Sequence, residues 1–136
     1  MENCVFCNIA SKKISSSVVY EDKNVLAFLD IMPANKGHCL IIPKNHCENI
    51  TEMDSKDMSA MMEASKKVAK AVSLACGSSS FNLVMNNGKD SGQIVMHAHM
   101  HVIPRFEKDR LRIKWSHKRY ELNEMSEFAE KIKKFV

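Results

Sequence analysis

The stretch from Gln93 to Arg105, QIVMHAHMHVIPR, constrains this chain more than any other. His97, His99 and His101 alternate with Ala98 and Met100, and Val102 and Ile103 carry the apolar run on to Pro104. A period of two is the signature of an extended strand. It sets the three imidazoles on one face and Ala98, Met100 and Val102 on the other. An ordinary half-buried strand carries Val, Ile or Thr at such positions, because a buried imidazole needs hydrogen-bond partners. Three of the six histidines fall within these five residues. Packing alone gives no reason for that concentration, so the face is read as chemical.

The rest of the chain is ordinary enough to let that feature stand out. Its 136 residues suit one domain with a modest core, and no linker, repeat or low-complexity segment divides them. A net charge of +4 mildly favours anionic ligands but is too small and dispersed to argue for nucleic-acid binding. No apolar run approaches the ~20 residues of a membrane span. The start, MENCVFC, lacks the basic and apolar regions of an export signal. With no such signal, Cys4, Cys7, Cys39, Cys47 and Cys76 are read as reduced and cytoplasmic, with metal binding favoured over disulfides.

Taken in order, Cys4 and Cys7 form a C-x-x-C with only three residues before it, too few for the strand that precedes a redox motif. Val5, Phe6, Ile9 and Ala10 suggest a short helical turn. Val18–Tyr20 and Val25–Leu29 flank the polar turn Glu21–Asn24 and predict a hairpin. Asp30 follows, then a loop around Pro33 and Gly37, then a strand over His38–Ile42 ended by Pro43, with His46 on the next loop. Asp54 and Gly77 bracket a long helix, whose Met58, Met61, Met62, Val68, Ala69 and Val72 repeat at helical spacing and predict core. Phe81, Leu83 and Met85 mark a strand. The loop 87–92, with Gly88 and Gly92, leads into the histidines and could let backbone N–H groups approach a phosphate. Trp115 is expected to pack on the body, and Asn123 to cap a last helix with Met125, Phe128, Ala129 and Ile132 on one face. The basic stretch 110–119 reads as a solvated face.

Two chemistries compete for the histidines. An H-x-H pair can hold a catalytic metal. Alternatively, a neutral imidazole attacks phosphorus while its neighbours hold the phosphate oxygens. Cys4, Cys7, a loop histidine (His46) and one strand histidine would close a Cys2His2 tetrahedron. A closed set of four leaves no open position for water and is structural, which frees the other two strand histidines for the reaction.

The run His97–Ile103 matches the H-φ-H-φ-H-φ-φ motif of the histidine triad (HIT) superfamily. CVFC at Cys4–Cys7, VLAFLDI at Val25–Ile31, Gly37-His38, IIPK at Ile41–Lys44, His46, NNG at Asn86–Gly88 and Gly92-Gln93 follow in that family's order. The chain resembles the compact zinc-containing bacterial-type members. The resemblance covers about residues 4–106, with 107–136 as a C-terminal extension of a single domain 1–136. It implies an α+β fold, an antiparallel sheet with a long central helix and a C-terminal helix, continued across a two-fold homodimer. It implies a purine nucleotide ligand and release of a nucleoside monophosphate through a nucleotidylated histidine, phosphoramidase-like. His99 matches the nucleophile, and His101, His38 and Gln93 its catalytic partners. Asp30 matches the ribose ligand. Phe6, Phe28, Leu29 and Ile31 fall where the base is held, and Asn86 near the phosphate. Cys4, Cys7, His46 and His97 match a structural zinc site.

Two departures bear on substrate. Ile94 stands where many members carry a hydroxyl residue, and Ile103-Pro104-Arg105 resembles the dinucleoside polyphosphate hydrolase branch. That branch is therefore one alternative. A nucleotide-binding partner protein with incidental activity is another, and a zinc hydrolase using the H-x-H pair is a third.

Overall fold

The computed structural model describes residues 3–112 and 115–136. In order its elements are α1 (Val5–Ala10), β1 (Val18–Glu21), β2 (Val25–Leu29), β3 (Cys39–Pro43), α2 (Ser55–Cys76), β4 (Ser80–Val84), β5 (Met100–Arg105) and α3 (Glu124–Lys133). Single 3-10 turns lie at Ile50–Glu52 and Lys89–Ser91. The five strands form one antiparallel sheet in the order β1-β2-β3-β5-β4. The expected β1–β2 hairpin is present. Asp22 closes it, its Oδ1 accepting the N–H groups of Asn24 and Val25 at 2.8 and 2.9 Å, a local bond that suits aspartate to turns.

The central strands are buried on both faces, and their side chains alternate between two cores. Val25, Ala27, Cys39, Ile41 and Val102 face α2, where Met61, Ala64, Val68, Ala69 and Val72 meet them. Leu26, Phe28, Leu40 and Ile42 face the other way, onto Phe6 and Ile9 of α1. The long helix ends as expected at Gly77, in the left-handed conformation (φ 64°). Met58 and Met62 depart from the core expectation and are exposed. Met58 sits in the first turn of α2, and Met62 flanks the buried stripe. On the edge strand β4, Phe81 and Leu83 are also exposed.

The histidine strand is shorter than its sequence pattern. β5 begins only at Met100, although the alternation persists upstream: Ala98 packs in the α2 core while the rings of His97 and His99 contact Phe6. Pro43 explains the difference. β3 runs through this proline, but proline has no N–H to extend the ladder, and its carbonyl accepts the His97 Nε2–H at 2.9 Å instead. Ala98 N–H turns to the Cys47 carbonyl at 2.7 Å. His38 likewise lies just before β3 rather than within it.

The tail departs most from expectation. Trp115 does not pack on the body and is 76% exposed. α3 forms where predicted, but Asn123 does not cap it through its side chain; the Glu124 carboxylate accepts the Glu121 N–H instead. Met125, Phe128 and Ile132 are exposed. Ile113 and Lys114, within the basic stretch 110–119, lie outside the described residues. Among the described residues no helix is long and apolar enough to cross a membrane.

Candidate active site and metal centre

His38, His99 and His101 converge on the α1 face of the sheet, and their hydrogen bonds fix which nitrogen of each ring carries the proton. His99 Nδ1 lies 2.7 Å from the His97 carbonyl. A carbonyl only accepts, so Nδ1 carries the hydrogen and Nε2 the lone pair. His99 is 95% buried. No buried side-chain polar atom among the described residues lacks a partner, so Nε2, which has none, is the nitrogen that solvent reaches.

The second ring is set by a chain of donors. Ala34 N–H donates to His38 Nδ1 at 3.1 Å. His38 therefore holds its hydrogen on Nε2, which donates to His101 Nδ1 at 2.9 Å. His101 in turn presents an Nε2–H, with its ring 4.9 Å from that of His99, centroid to centroid. The pair thus juxtaposes a nitrogen lone pair and an N–H donor, the arrangement needed to attack a centre while binding its developing negative charge. Asp30 Oδ2 lies 3.7 Å from His38 Nδ1, and Asp30 Oδ1 accepts the Met32 N–H.

Burial is the main influence on the charge of His38 and His101. It pushes His38 below the ordinary histidine range, with Asp30 opposing. Burial, then the proximity of His99 and His38, brings His101 down to about 4. These rings are neutral at pH 7. The unfolded chain takes up a proton at each near pH 6.5, whereas folded His101 refuses it until about pH 4. Stability is therefore fully present above about pH 6.5, and falls as pH drops through that window. Urea midpoints measured between pH 4 and 7 should rise with pH, and His101→Asn should flatten part of the rise, by at most about 3 kcal/mol.

A second cluster adjoins Phe6, whose ring centroid lies 5.9 Å from that of His97. Sγ of Cys4 and Cys7 and ring nitrogens of His46 and His97 all lie within 4.8 Å of one another. Individual separations are 3.4 Å for Cys4 Sγ to His97 Nδ1, 3.3 Å for Cys7 Sγ to His46 Nδ1, 3.5 Å for Cys7 Sγ to His97 Nδ1 and 3.3 Å between the two Nδ1 atoms. A tetrahedral ion with sulfur at about 2.3 Å and nitrogen at about 2.0 Å has edges of about 3.3 to 3.8 Å. The four donors fit such an ion. The Pro43 carbonyl holds the hydrogen of His97 on Nε2 and so aims its Nδ1 lone pair at the cluster. His97 and His99, the H-x-H pair, do not converge on one point. Among the described residues, metal-ligating side chains gather in two groups, Cys4, Cys7, His46 and His97 in one and Asp30, His38 and His101 in the other, and neither includes His99.

The remaining candidates divide. Phe6 packs edge-on to His99 at 5.2 Å and to Phe28 at 5.7 Å. Ile31 is almost fully exposed beside Asp30. Leu29 is not brought to the histidines: it lines a groove of about 320 Å³ with Val19, Cys39 and Val68, on the α2 side. Alternation along β2 accounts for this, because Leu29 shares the face of Val25 and Ala27. Gln93 is buried and its amide is fully occupied: Oε1 accepts the Gly88 N–H at 2.7 Å, and Nε2 donates to the carbonyls of Glu48 and Val95. It braces the loop that leads to the histidines. Asn86 donates to the Gly92 carbonyl within that loop. Sequence reasoning missed the backbone groups that orient the rings: the carbonyls of Pro43 and His97 and the N–H of Ala34. Their type is the same in every residue, so they leave no mark in a sequence.

The HIT domain family matches residues 11–108, and the chain belongs to that family. Among curated relatives it is 46% identical over 107 residues to protein hit of Bacillus subtilis, covering 79% of this chain and 74% of that one. It is 40% identical over 120 residues to adenylylsulfatase HINT3 of Arabidopsis thaliana, covering 88% and 61%. It is 38% identical over 103 residues to adenosine 5'-monophosphoramidase hnt1 of Schizosaccharomyces pombe, covering 76% and 74%. Among solved structures, a HIT family protein from Bacillus subtilis superposes with TM-score 0.92 at 38% identity, over 98% of this chain and 97% of that one. A Zn-bound histidine triad family protein from Mycobacterium smegmatis gives 0.78 at 34% identity, over 86% and 85%.

Proposed function

We propose that the chain is a nucleotide hydrolase or nucleotidyl transferase acting at the α-phosphate of purine nucleotide conjugates. The observation that carries this is the free Nε2 lone pair of His99 beside the Nε2–H of His101. His99 Nε2 forms a bond to phosphorus as the P–N or P–O bond to the leaving group breaks. The leaving group departs with the bonding pair and takes a proton from solvent; water then attacks the same phosphorus, the bond from phosphorus to His99 Nε2 breaks, and the nucleoside monophosphate leaves as the water's proton passes to solvent. His101, kept neutral by burial, donates to a phosphate oxygen. His38 holds His101 in the donating tautomer. Asp30 receives the ribose hydroxyls. Phe6, Phe28 and Ile31 hold the base, and Asn86 stands on the phosphate side. In this reading Gln93 acts by shaping the 88–95 loop, and Leu29 is left out. The names of the Arabidopsis and fission-yeast relatives, an adenylylsulfatase and an adenosine 5'-monophosphoramidase, support adenosine nucleotide conjugates as the substrate class.

Of the two leaving-group classes we favour the phosphoramidate. The sequence feature that suggests the polyphosphate branch includes Arg105. That guanidinium is taken up by Asp109 at 2.7 and 3.1 Å, by Asn82 at 2.6 Å and by the Leu111 carbonyl. It has little capacity left for a phosphate chain. Steady-state AMP release from adenosine 5'-phosphoramidate and from diadenosine tetraphosphate, compared side by side, tests this. The expected result is a kcat/KM at least about tenfold higher for the phosphoramidate, and the reverse preference would reassign the chain to the polyphosphate branch. Tight binding of purine nucleotides without turnover would favour the binding-protein alternative.

We assign zinc to the Cys4, Cys7, His46 and His97 cluster, as a structural ion. When bound, it ties α1 to the loops before α2 and β5. Its fit rests on the donor set and spacing, and the Zn-bound mycobacterial relative supports it. No two of the five cysteines are joined in a disulfide, which supports the reducing cytoplasm we propose as the protein's location.

We propose that the homodimer implied by the family resemblance forms along β4 and α2. Among the described residues nothing pairs with the outer edge of β4, on which Phe81 and Leu83 are exposed, and Met58, Met62 and Leu74 are exposed along α2. Sedimentation equilibrium at micromolar concentration should return twice the 15.5 kDa chain mass, and Leu83→Glu should halve it.

A further inference from the structure

Asp109 and Asn35 are committed more fully than any surface polar pair needs to be, and no role has been given to either. The Asp109 carboxylate, 94% buried, accepts five hydrogen bonds. Three reach Oδ2: from Arg105 Nε at 2.7 Å, Phe106 N at 3.0 Å and Asn35 Nδ2 at 3.0 Å. Two reach Oδ1, from Arg105 Nη2 at 3.1 Å and Leu111 N at 3.0 Å. Asn35 Nδ2 also donates to the Pro104 carbonyl at 2.8 Å, on the strand that carries His101. The Asn35 carbonyl accepts the His38 N–H at 3.0 Å. Its neighbour Ala34 donates to His38 Nδ1. Gly37 closes the turn at φ 91°, where a Cβ would lie 2.4 Å from the Cys76 sulfur.

The turn 34–38 is therefore a rigid collar around one imidazole, and Asn35 is the side chain that fastens it to β5 and to Asp109. We propose that Asn35 and Asp109 are positioning residues for the histidine relay: they hold the Ala34 N–H on His38 Nδ1, and so keep the His38 hydrogen on Nε2, facing His101. This rests on the reading of His101 as the phosphate-side donor. Without the collar, His38 is free to take the other tautomer. Its Nε2 would then accept from His101 Nδ1–H, leaving His101 Nε2 a lone pair where a donor is needed.

The test uses the full chain, labelled with 15N at histidine. Two-bond 1H–15N spectra distinguish the tautomers directly, independently of activity. In the wild type His38 should show one tautomer, with Nε2 protonated. Asn35→Ala leaves every Arg105–Asp109 contact in place. It should bring out the Nδ1–H form of His38 and lower kcat about tenfold with KM little changed. Asn35→Asp is isosteric and turns an acceptor toward the Pro104 carbonyl and the Asp109 carboxylate, which both take a hydrogen bond from Asn35 Nδ2 in the wild type; it should show the same two effects, and decides the matter if Asn35→Ala does not fold. A His38 tautomer unchanged in both variants would overturn the proposal. So would a changed tautomer with kcat intact. If the wild type turns over no nucleotide substrate, the reaction reading fails, and the spectra alone still decide whether the collar sets the tautomer.

Discussion

His99→Ala should reduce monophosphate release by about 10⁴-fold or more, while the folded chain still binds purine nucleotides. The size follows from the geometry. His99 Nε2 is the lone pair that the carbonyl of His97 leaves free for solvent, and alanine puts nothing in its place. His101 has an N–H on the corresponding nitrogen and cannot take over the attack without losing its own hydrogen bond from His38. A stopped reaction with wild-type protein should also carry one covalently held nucleotide per active chain, and the variant none. Retention of more than about a tenth of the wild-type rate in His99→Ala would mean that water attacks phosphorus directly, and the nucleophile assignment would fall.

The second large effect is expected at the cysteine–histidine cluster. Cys7→Ser should lower bound zinc from one ion per chain to near none, and should lower the thermal midpoint by about 10 °C, equivalent to about 3 kcal/mol for a domain of this size. The four donors come from three separate places in the chain: α1, the loop after β3, and the segment before β5. Joining them removes freedom that the six residues of α1, with Phe6 and Ile9 as their buried anchors, cannot remove alone. Turnover measured well below the new midpoint should fall only a few-fold, through a looser Phe6 against His99. Complete loss of turnover in a folded Cys7→Ser protein would show that the ion takes part in the reaction rather than in the architecture.

Much of this was open to reading before any coordinate was known. The hairpin, the long helix with its glycine stop, and the position of the last helix follow from turn residues and from periods of 2 and 3.6, which are local properties. Where expectation and structure part, distant contacts are the cause. Trp115 and the apolar face of α3 had the composition of buried elements, but nothing among the described residues covers them. Met58 and Met62 had core spacing, yet the sheet does not reach the first turn of α2 or the flank of its stripe. Leu29 lay beside Asp30 in sequence, but adjacent strand residues point to opposite faces.

The candidate site groups, their order and their shared face are legible in the linear chain. Side-chain type and a period of two are enough for that, and they also bring Cys4 and Cys7 within one turn of each other. What the fold adds is the distinction among the three rings. His97, His99 and His101 are the same residue at the same spacing, and each differs only in the atom that meets its ring: the Pro43 carbonyl at His97, the His97 carbonyl at His99, and His38 at His101. An acceptor on one ring nitrogen fixes the hydrogen there and frees the other nitrogen's lone pair; a donor does the opposite. Those partners come from β3, from the chain's own backbone and from the 34–38 turn, and only the folded chain brings them together.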